Sequence, residues 1–273
     1  MILTNITRVF YKLQYILSII LLFFTVFNFT WNHLICYPLL LEPKTSKYCS
    51  ETYFVNNMGG YVWKPIHSVA IGENVLFYFN DTTGNCSTRF VVVRDIHRHY
   101  FPEYTVIQLE YPGFGISTHL PLHLENIVNE CIFVLTNLSK QYNMKKCVFW
   151  GEGMGHYIMS RVIEKTPLFP NQIIFHNGVN DLYFYLFSKY KFLISPFFLF
   201  SKNSKHSSTY LKNTCHAKYY IITTQDDLHQ YQSYEFYHEM KDNKIEFLEL
   251  EGKACYGLLF EKNRHLLDRL FIH

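Results

Sequence analysis

The sequence predicts an α/β domain, a mostly parallel and doubly wound sheet, preceded by an N-terminal transmembrane helix. Three observations predict it. From about residue 50 onward, short apolar runs alternate with helix-length segments, as in strands joined by crossover helices. One run, Cys147-Val148-Phe149-Trp150, leads straight into Gly151-Glu152-Gly153-Met154-Gly155, a glycine-rich strand-to-helix turn. Residues 16–29 (ILSIILLFFTVFNF) are uncharged and strongly apolar.

Counted over residues 13–35, that apolar stretch is long enough to cross a hydrocarbon core of about 30 Å, which takes about 20 helical residues. Arg8 and Lys12 precede it and the next charge after it is Glu42, so the positive-inside rule puts the N-terminus in the cytoplasm. No small-x-small cleavage site follows. The expected organisation is a cytoplasmic tail (1–12), a single-pass type II signal anchor (13–35), a linker (36–49) and a lumenal or extracytoplasmic domain (50–273). A cleaved signal peptide is the rival reading. Sequons starting at Asn5, Asn28, Asn80, Asn85 and Asn137 agree with the outside location.

Within the domain, residues 53–63 read as a hairpin turning at Met58-Gly59-Gly60. Residues 75–79 (VLFYF) are continuously apolar, as in a strand buried on both faces, and run into the turn-forming NDTTGN. A helix over 88–99 and a strand over 105–109 follow, then the turn Tyr111-Pro112-Gly113-Phe114-Gly115. Ile127, Cys131, Val134, Leu135 and Leu138 recur at helical spacing within 122–142. The remaining expected order is strand 146–150, helix 156–165, strands 172–175 and 219–223, helix 233–240, strand 245–250 and helix 257–271. Residues 181–212, rich in Phe, Tyr and Leu, break the alternation where an inserted cap or a membrane-surface contact would sit.

Composition limits the function. Hydrophobic residues make up 49% of the 273 and aromatics 18%, with 25 Phe and 22 Tyr, which supplies a full core and excludes disorder. The net charge of +3 has no basic block, so nucleic acid is not an expected partner. Seven scattered cysteines form no C-x-x-C pair and no His/Cys spacing suited to zinc. Neither a metal nor a cofactor is expected. A dinucleotide site is disfavoured because the glycine turn lies mid-chain with no acidic residue closing a second strand about 20 residues on. A phosphate loop, or glycines serving only close helix packing, remain readings of the turn by itself.

Four stretches in order resemble the α/β-hydrolase superfamily, in its serine-aminopeptidase and lysophospholipase-like branch with a membrane anchor. They are Val75-Leu76-Phe77-Tyr78-Phe79 with NDTTGN, residues 109–117 (LEYPGFGIS), residues 146–155 with the glycine turn, and residues 220–228 (YIITTQDDL). The resemblance covers roughly residues 50–273 and implies a G-x-S-x-G nucleophile elbow at the glycine turn. Residue by residue, it puts the nucleophile at Gly153, the acid at Asp227 with Asp226 as the register alternative, and the base at Cys255. The oxyanion loop falls on Asn80-Asp81 with Thr82 beside it, and the second donor is the Met154 backbone N–H. Gly151, Glu152 and Gly155 complete the elbow.

Serine needs a base to take its proton, and the acid holds that base in the right tautomer. With serine and histidine both missing, the resemblance implies a catalytically degenerate member that binds a protein partner or an acyl or lipid-like ligand. The alternative is an esterase, thioesterase or peptidase with residual or rewired activity, for which Cys255, Glu152, His156 and His176 are the nearest candidates. Their plainer readings are structural.

Overall fold

The computed structural model describes residues 12–23, 25–26, 49–67, 74–117, 123–143, 146–167, 170–190, 206–211, 217–225, 230–240, 244–252 and 254–271. Eight strands form one sheet: β1 (Glu51–Val55), β2 (Met58–Trp63), β3 (Val75–Phe79), β4 (Thr105–Glu110), β5 (Val148–Glu152), β6 (Gln172–His176), β7 (Lys218–Thr224) and β8 (Ile245–Leu250), in spatial order 1-2-4-3-5-6-7-8. β1/β2 and β2/β4 pair antiparallel and every other pair is parallel. The helices are α1 (Phe90–His99), α2 (Leu124–Leu138), α3 (Met154–Lys165), α4 (Leu182–Tyr190), α5 (Ser207–Leu211), α6 (Gln230–Glu239) and α7 (Glu261–Phe271).

Strand alternation builds a core on each face. Phe77, Phe79 and Phe149 point to the face covered by α2 and α3, while Leu76, Tyr78, Val148 and Trp150 point to the face covered by α1 and α7. β3 is buried along its whole length, as its continuous apolar run requires. From β3 the chain crosses to β4 on one side and later to β5 on the other, so the loops after β3 and β5 meet at the point where strand order reverses. Parallel sheets bind ligands in that crevice.

The hairpin is present, but its turn is Asn56-Asn57, with Asn56 at φ 54°, and Gly59 and Gly60 lie inside β2. A Cβ on Gly60 would come within 2.3 Å of the Tyr53 ring and 2.4 Å of Gln108 O. These glycines therefore serve close strand packing rather than a turn. The closing segment begins as a 3-10 turn, Ala254–Leu259, before α7. Of the inserted segment, α4 and α5 are described; 191–205 lie outside the described residues.

Residues 12–23 are helical, with Leu13, Leu17, Leu21 and Leu22 exposed. Among the described residues no helix is long and apolar enough to cross a membrane. Residues 24 and 27–35 of the predicted span and the tail before residue 12 lie outside the described residues. Asn80 and Asn85 are buried, which removes two of the five sequons as glycan acceptors.

Candidate functional site

β5 ends at Glu152 and α3 begins at Met154, so Gly153 alone makes the turn, at φ 54° and ψ −125°. An L side chain reaches such a backbone only with strain. The Gly153 N–H donates to His176 O at 3.1 Å, and Gly153 O accepts from the His156 and Val179 N–H groups at 3.2 and 3.1 Å. These bonds pin the turn between β6 and α3. The flanking glycines are required by space: a Cβ on Gly155 would lie 2.1 Å from Phe79 O and 2.4 Å from Asn80 O, and one on Gly151 would lie 2.4 Å from His156 Cα. The turn thus has the close strand-to-helix packing for which a nucleophile elbow keeps its glycines.

What fills the space beside Gly153 is Asp81, from the loop after β3. A Cβ on Gly153 would stand 2.5 Å from Asp81 Oδ1 and 2.7 Å from its Cγ. Asp81 Oδ1 accepts the Met154 backbone N–H at 2.9 Å, the first amide of α3. Asp81 Oδ2 accepts the Thr83 hydroxyl and lies 4.0 Å from Arg89 Nη2. Gly153 gives α3 no side-chain cap, so the carboxylate from the loop after β3 acts as one, where amide and helix dipole both favour an anion. Thr82 is buried in the same loop, and it is the neighbouring Thr83 whose hydroxyl donates to the carboxylate.

Glu152 is tied into an ion pair. Arg89 Nε donates to its two oxygens at 2.8 and 3.0 Å, and Tyr78 Oη donates to Oε2 at 2.6 Å. Both carboxylate oxygens of Glu152 are thus taken up by hydrogen bonds within the protein. Asn80 also points into the protein: its Nδ2 donates to Leu109 O at 2.6 Å and its Oδ1 accepts Gln108 Nε2 at 2.9 Å. Beside them Glu110, buried at the end of β4, accepts the Cys86 N–H at 3.0 Å, and burial pushes its carboxyl up to about 7. The Tyr-Pro-Gly-Phe-Gly turn folds over this group, for a Cβ on Gly115 would meet Glu110 Oε2 at 2.0 Å.

His156 and His176 are fully buried, and burial holds both imidazoles down at about 3, with the Arg89 charge adding to the effect at His176. His156 packs on Phe175 and Phe236 at ring separations of 4.1 and 5.1 Å. The Trp150 indole N–H points to His176 Nδ1 at 3.4 Å. Both are neutral core residues rather than bases at the surface of a site. Asp226 and Asp227 lie outside the described residues, beyond the end of β7. The backbone of Cys255 belongs to the 3-10 turn after β8; its side chain is outside the description.

The structure therefore brings Gly151, Glu152, Gly153, Met154 and Gly155 together with Asp81 and Thr82. Arg89, Thr83 and Tyr78 are partners that sequence reasoning missed. Arg89 and Glu152 are 63 positions apart, and no local pattern marks that pairing. For a metal, one group among the described residues has ligand atoms within 4.8 Å of one another: His206, Glu235 and Glu239. His206 Nδ1 already pairs with Glu239 Oε1 at 2.7 Å, a contact that any cation there would have to displace.

No family model matches the sequence, and no curated protein does. Solved structures do. The chain is similar to a thermostable esterase from Pseudomonas putida, at 14% identity over 80% of this chain and 78% of that one, with a TM-score of 0.58. It is similar to an alpha-beta hydrolase from Vibrio vulnificus, at 9% identity over 90% and 92%, with a TM-score of 0.69. A carboxyl esterase of the mycorrhizal fungus Tuber melanosporum aligns at 14% identity over 87% and 92%, with a TM-score of 0.57. With its strand order, its antiparallel β2 and its glycine elbow at the end of β5, the chain has the α/β-hydrolase fold.

Proposed function

We propose that this protein is a membrane-anchored, non-catalytic member of the α/β hydrolases that binds a protein partner or an acyl or lipid-like ligand. The observation that carries the reading is Gly153. The residue holds the turn on which this fold presents its nucleophile, has no side chain to present, and has the Asp81 carboxylate of the loop after β3 against it. Losing serine or histidine alone costs on the order of 10⁶ in turnover in a well-studied serine hydrolase. With Gly153 and Cys255 at the two positions, triad hydrolysis has no donor of the attacking oxygen and no base.

A fluorophosphonate probe tests this on the full chain in detergent micelles. The native protein is expected to stay unlabelled, while Gly153→Ser/Cys255→His/Asp81→Ala serves as the gain-of-labelling control. A native adduct, mapped by mass spectrometry, would sink the reading. That result would support the second one, a hydrolase with a rewired nucleophile, which the esterase structures of the same fold favour.

The anchor is read from the apolar stretch over 13–35 and from Arg8 and Lys12 before it. It makes the protein single-pass type II, with the domain lumenal or extracytoplasmic. In sealed microsomes the domain is then protected from added protease until detergent opens the vesicles; digestion without detergent would overturn the orientation. Asn137, part exposed on α2, is the sequon within the described domain that a glycan would reach.

A further inference from the structure

We propose that Asp81 is a built-in anion of this site. Its carboxylate occupies the oxyanion position at the Met154 N–H, so the elbow accepts no acyl carbonyl or carboxylate there while Asp81 is in place. The inference rests on the elbow being the vestige of a hydrolase site, and it narrows the ligand classes that site will take.

Three independent pieces of geometry converge on it. The Met154 N–H, which in a hydrolase of this fold would face the developing negative charge, is spent on Asp81 Oδ1 at 2.9 Å. The same oxygen stands 2.5 Å from where a residue-153 Cβ would be, within the volume a nucleophile and its substrate would share. The other oxygen is held by the Thr83 hydroxyl and faces Arg89, whose guanidinium is itself fixed on Glu152 at 2.8 Å. The carboxylate is therefore anchored from behind as well as bonded in front. A tetrahedral oxyanion or a fatty-acid carboxylate placed there would meet a fixed like charge at contact distance.

Such a site excludes acyl head groups first by occupying the Met154 donor, as a neutral side chain of the same shape would, and the charge adds to that exclusion. An acyl ligand would have to seat its head group elsewhere. The elbow is closed twice over, once by the missing nucleophile and once by a tethered competitor for the oxyanion donors.

The test uses full-length protein in micelles, selectively labelled with ¹⁵N-methionine, and follows the Met154 amide, assigned by Met154→Leu. In the native protein the amide proton is expected downfield and unmoved by sodium acetate. In Asp81→Ala it moves upfield, and acetate drives it back, with an affinity at least about tenfold tighter than the native chain shows, the equivalent of one charge-assisted bond. Asp81→Asn, which keeps an acceptor oxygen and the size of the side chain, stays acetate-insensitive. A native amide that responds to acetate as the Ala variant does, or a Met154 resonance unmoved by Asp81→Ala, would overturn the inference. Native acetate insensitivity is read without any variant, so a misfolded Asp81→Ala does not spare the proposal. A fluorophosphonate adduct on the native chain would remove the non-catalytic reading while leaving the Met154 result to decide this one.

Discussion

Replacing Gly153 with Ala separates backbone strain from the displacement of Asp81, because the structure assigns each a size. At φ 54° and ψ −125°, an L residue carries about 1–3 kcal/mol of strain. The new Cβ would lie 2.5 Å from Asp81 Oδ1 and 2.7 Å from Cγ, so the carboxylate has to swing away and the Met154 N–H loses a charged acceptor, a further loss of about 1.5–3 kcal/mol. The sum, roughly 2.5–6 kcal/mol, is a large part of a domain stability of about 5–15 kcal/mol. With Asp81→Ala already in place only the strain remains, because the carboxylate is gone. The four proteins of this double-mutant cycle, unfolded in urea and followed by the fluorescence of buried Trp150 and Trp63, should therefore show a coupling of about 1.5–3 kcal/mol, each variant alone costing more than it adds to the other. Additivity to within about 0.5 kcal/mol would refute the contact, and a Gly153→Ala cost below about 1 kcal/mol would refute the strained turn.

Gly155→Ala should lower stability by about 3 kcal/mol or more, and Asp81→Ala should not rescue it, because the new methyl meets the backbone oxygens of Phe79 and Asn80 rather than a side chain that can rotate; thermal melts of both backgrounds check it. Stability should depend on pH with two opposing signs. Glu110 is raised from 4.5 to about 7, so the native state binds the extra proton, and the stability its protonated form supplies is lost as pH rises from about 4.5 through about 7, by roughly 3 kcal/mol in all; Glu110→Gln should flatten that fall. His156 is depressed from 6.5 to about 3, so the unfolded state takes up the proton and stability is lost as pH falls below 6.5. His156→Phe should reduce the acid-side slope by about 1.4 kcal/mol per pH unit, measured by urea unfolding at stepped pH between 6 and 4.

Much of the fold was legible because its signals are local. The run 75–79 and the strand 245–250 match β3 and β8 residue for residue; β3 is apolar throughout because it is buried on both faces, whereas β8 is a part-buried edge strand that carries Glu246 and Glu249. The hairpin shows where local reading fails: Gly59-Gly60 looks like a turn, yet the register is set by Asn56-Asn57, and the glycines answer to Tyr53 and Gln108 across the sheet. At the site, the elbow was readable from its glycines, which are demanded by contacts that any strand-turn-helix of this kind makes. The role of Asp81 was not, because its meaning lies in Met154, 73 positions away. Glu152 looked like a free acid or base for the same reason; its neutralising partner Arg89 lies across the sheet crevice.

The glycine at the turn also bears on reversibility. An active elbow keeps a strained residue in place because chemistry needs it there; with glycine at 153 that local strain is absent, and Asp81 has settled into the space beside it. A chain given serine at 153 would take on the strain and dislodge a bonded carboxylate. That first step is downhill in stability. The present arrangement behaves as a ratchet in sequence space, in which the bonded carboxylate holds position 153 to glycine.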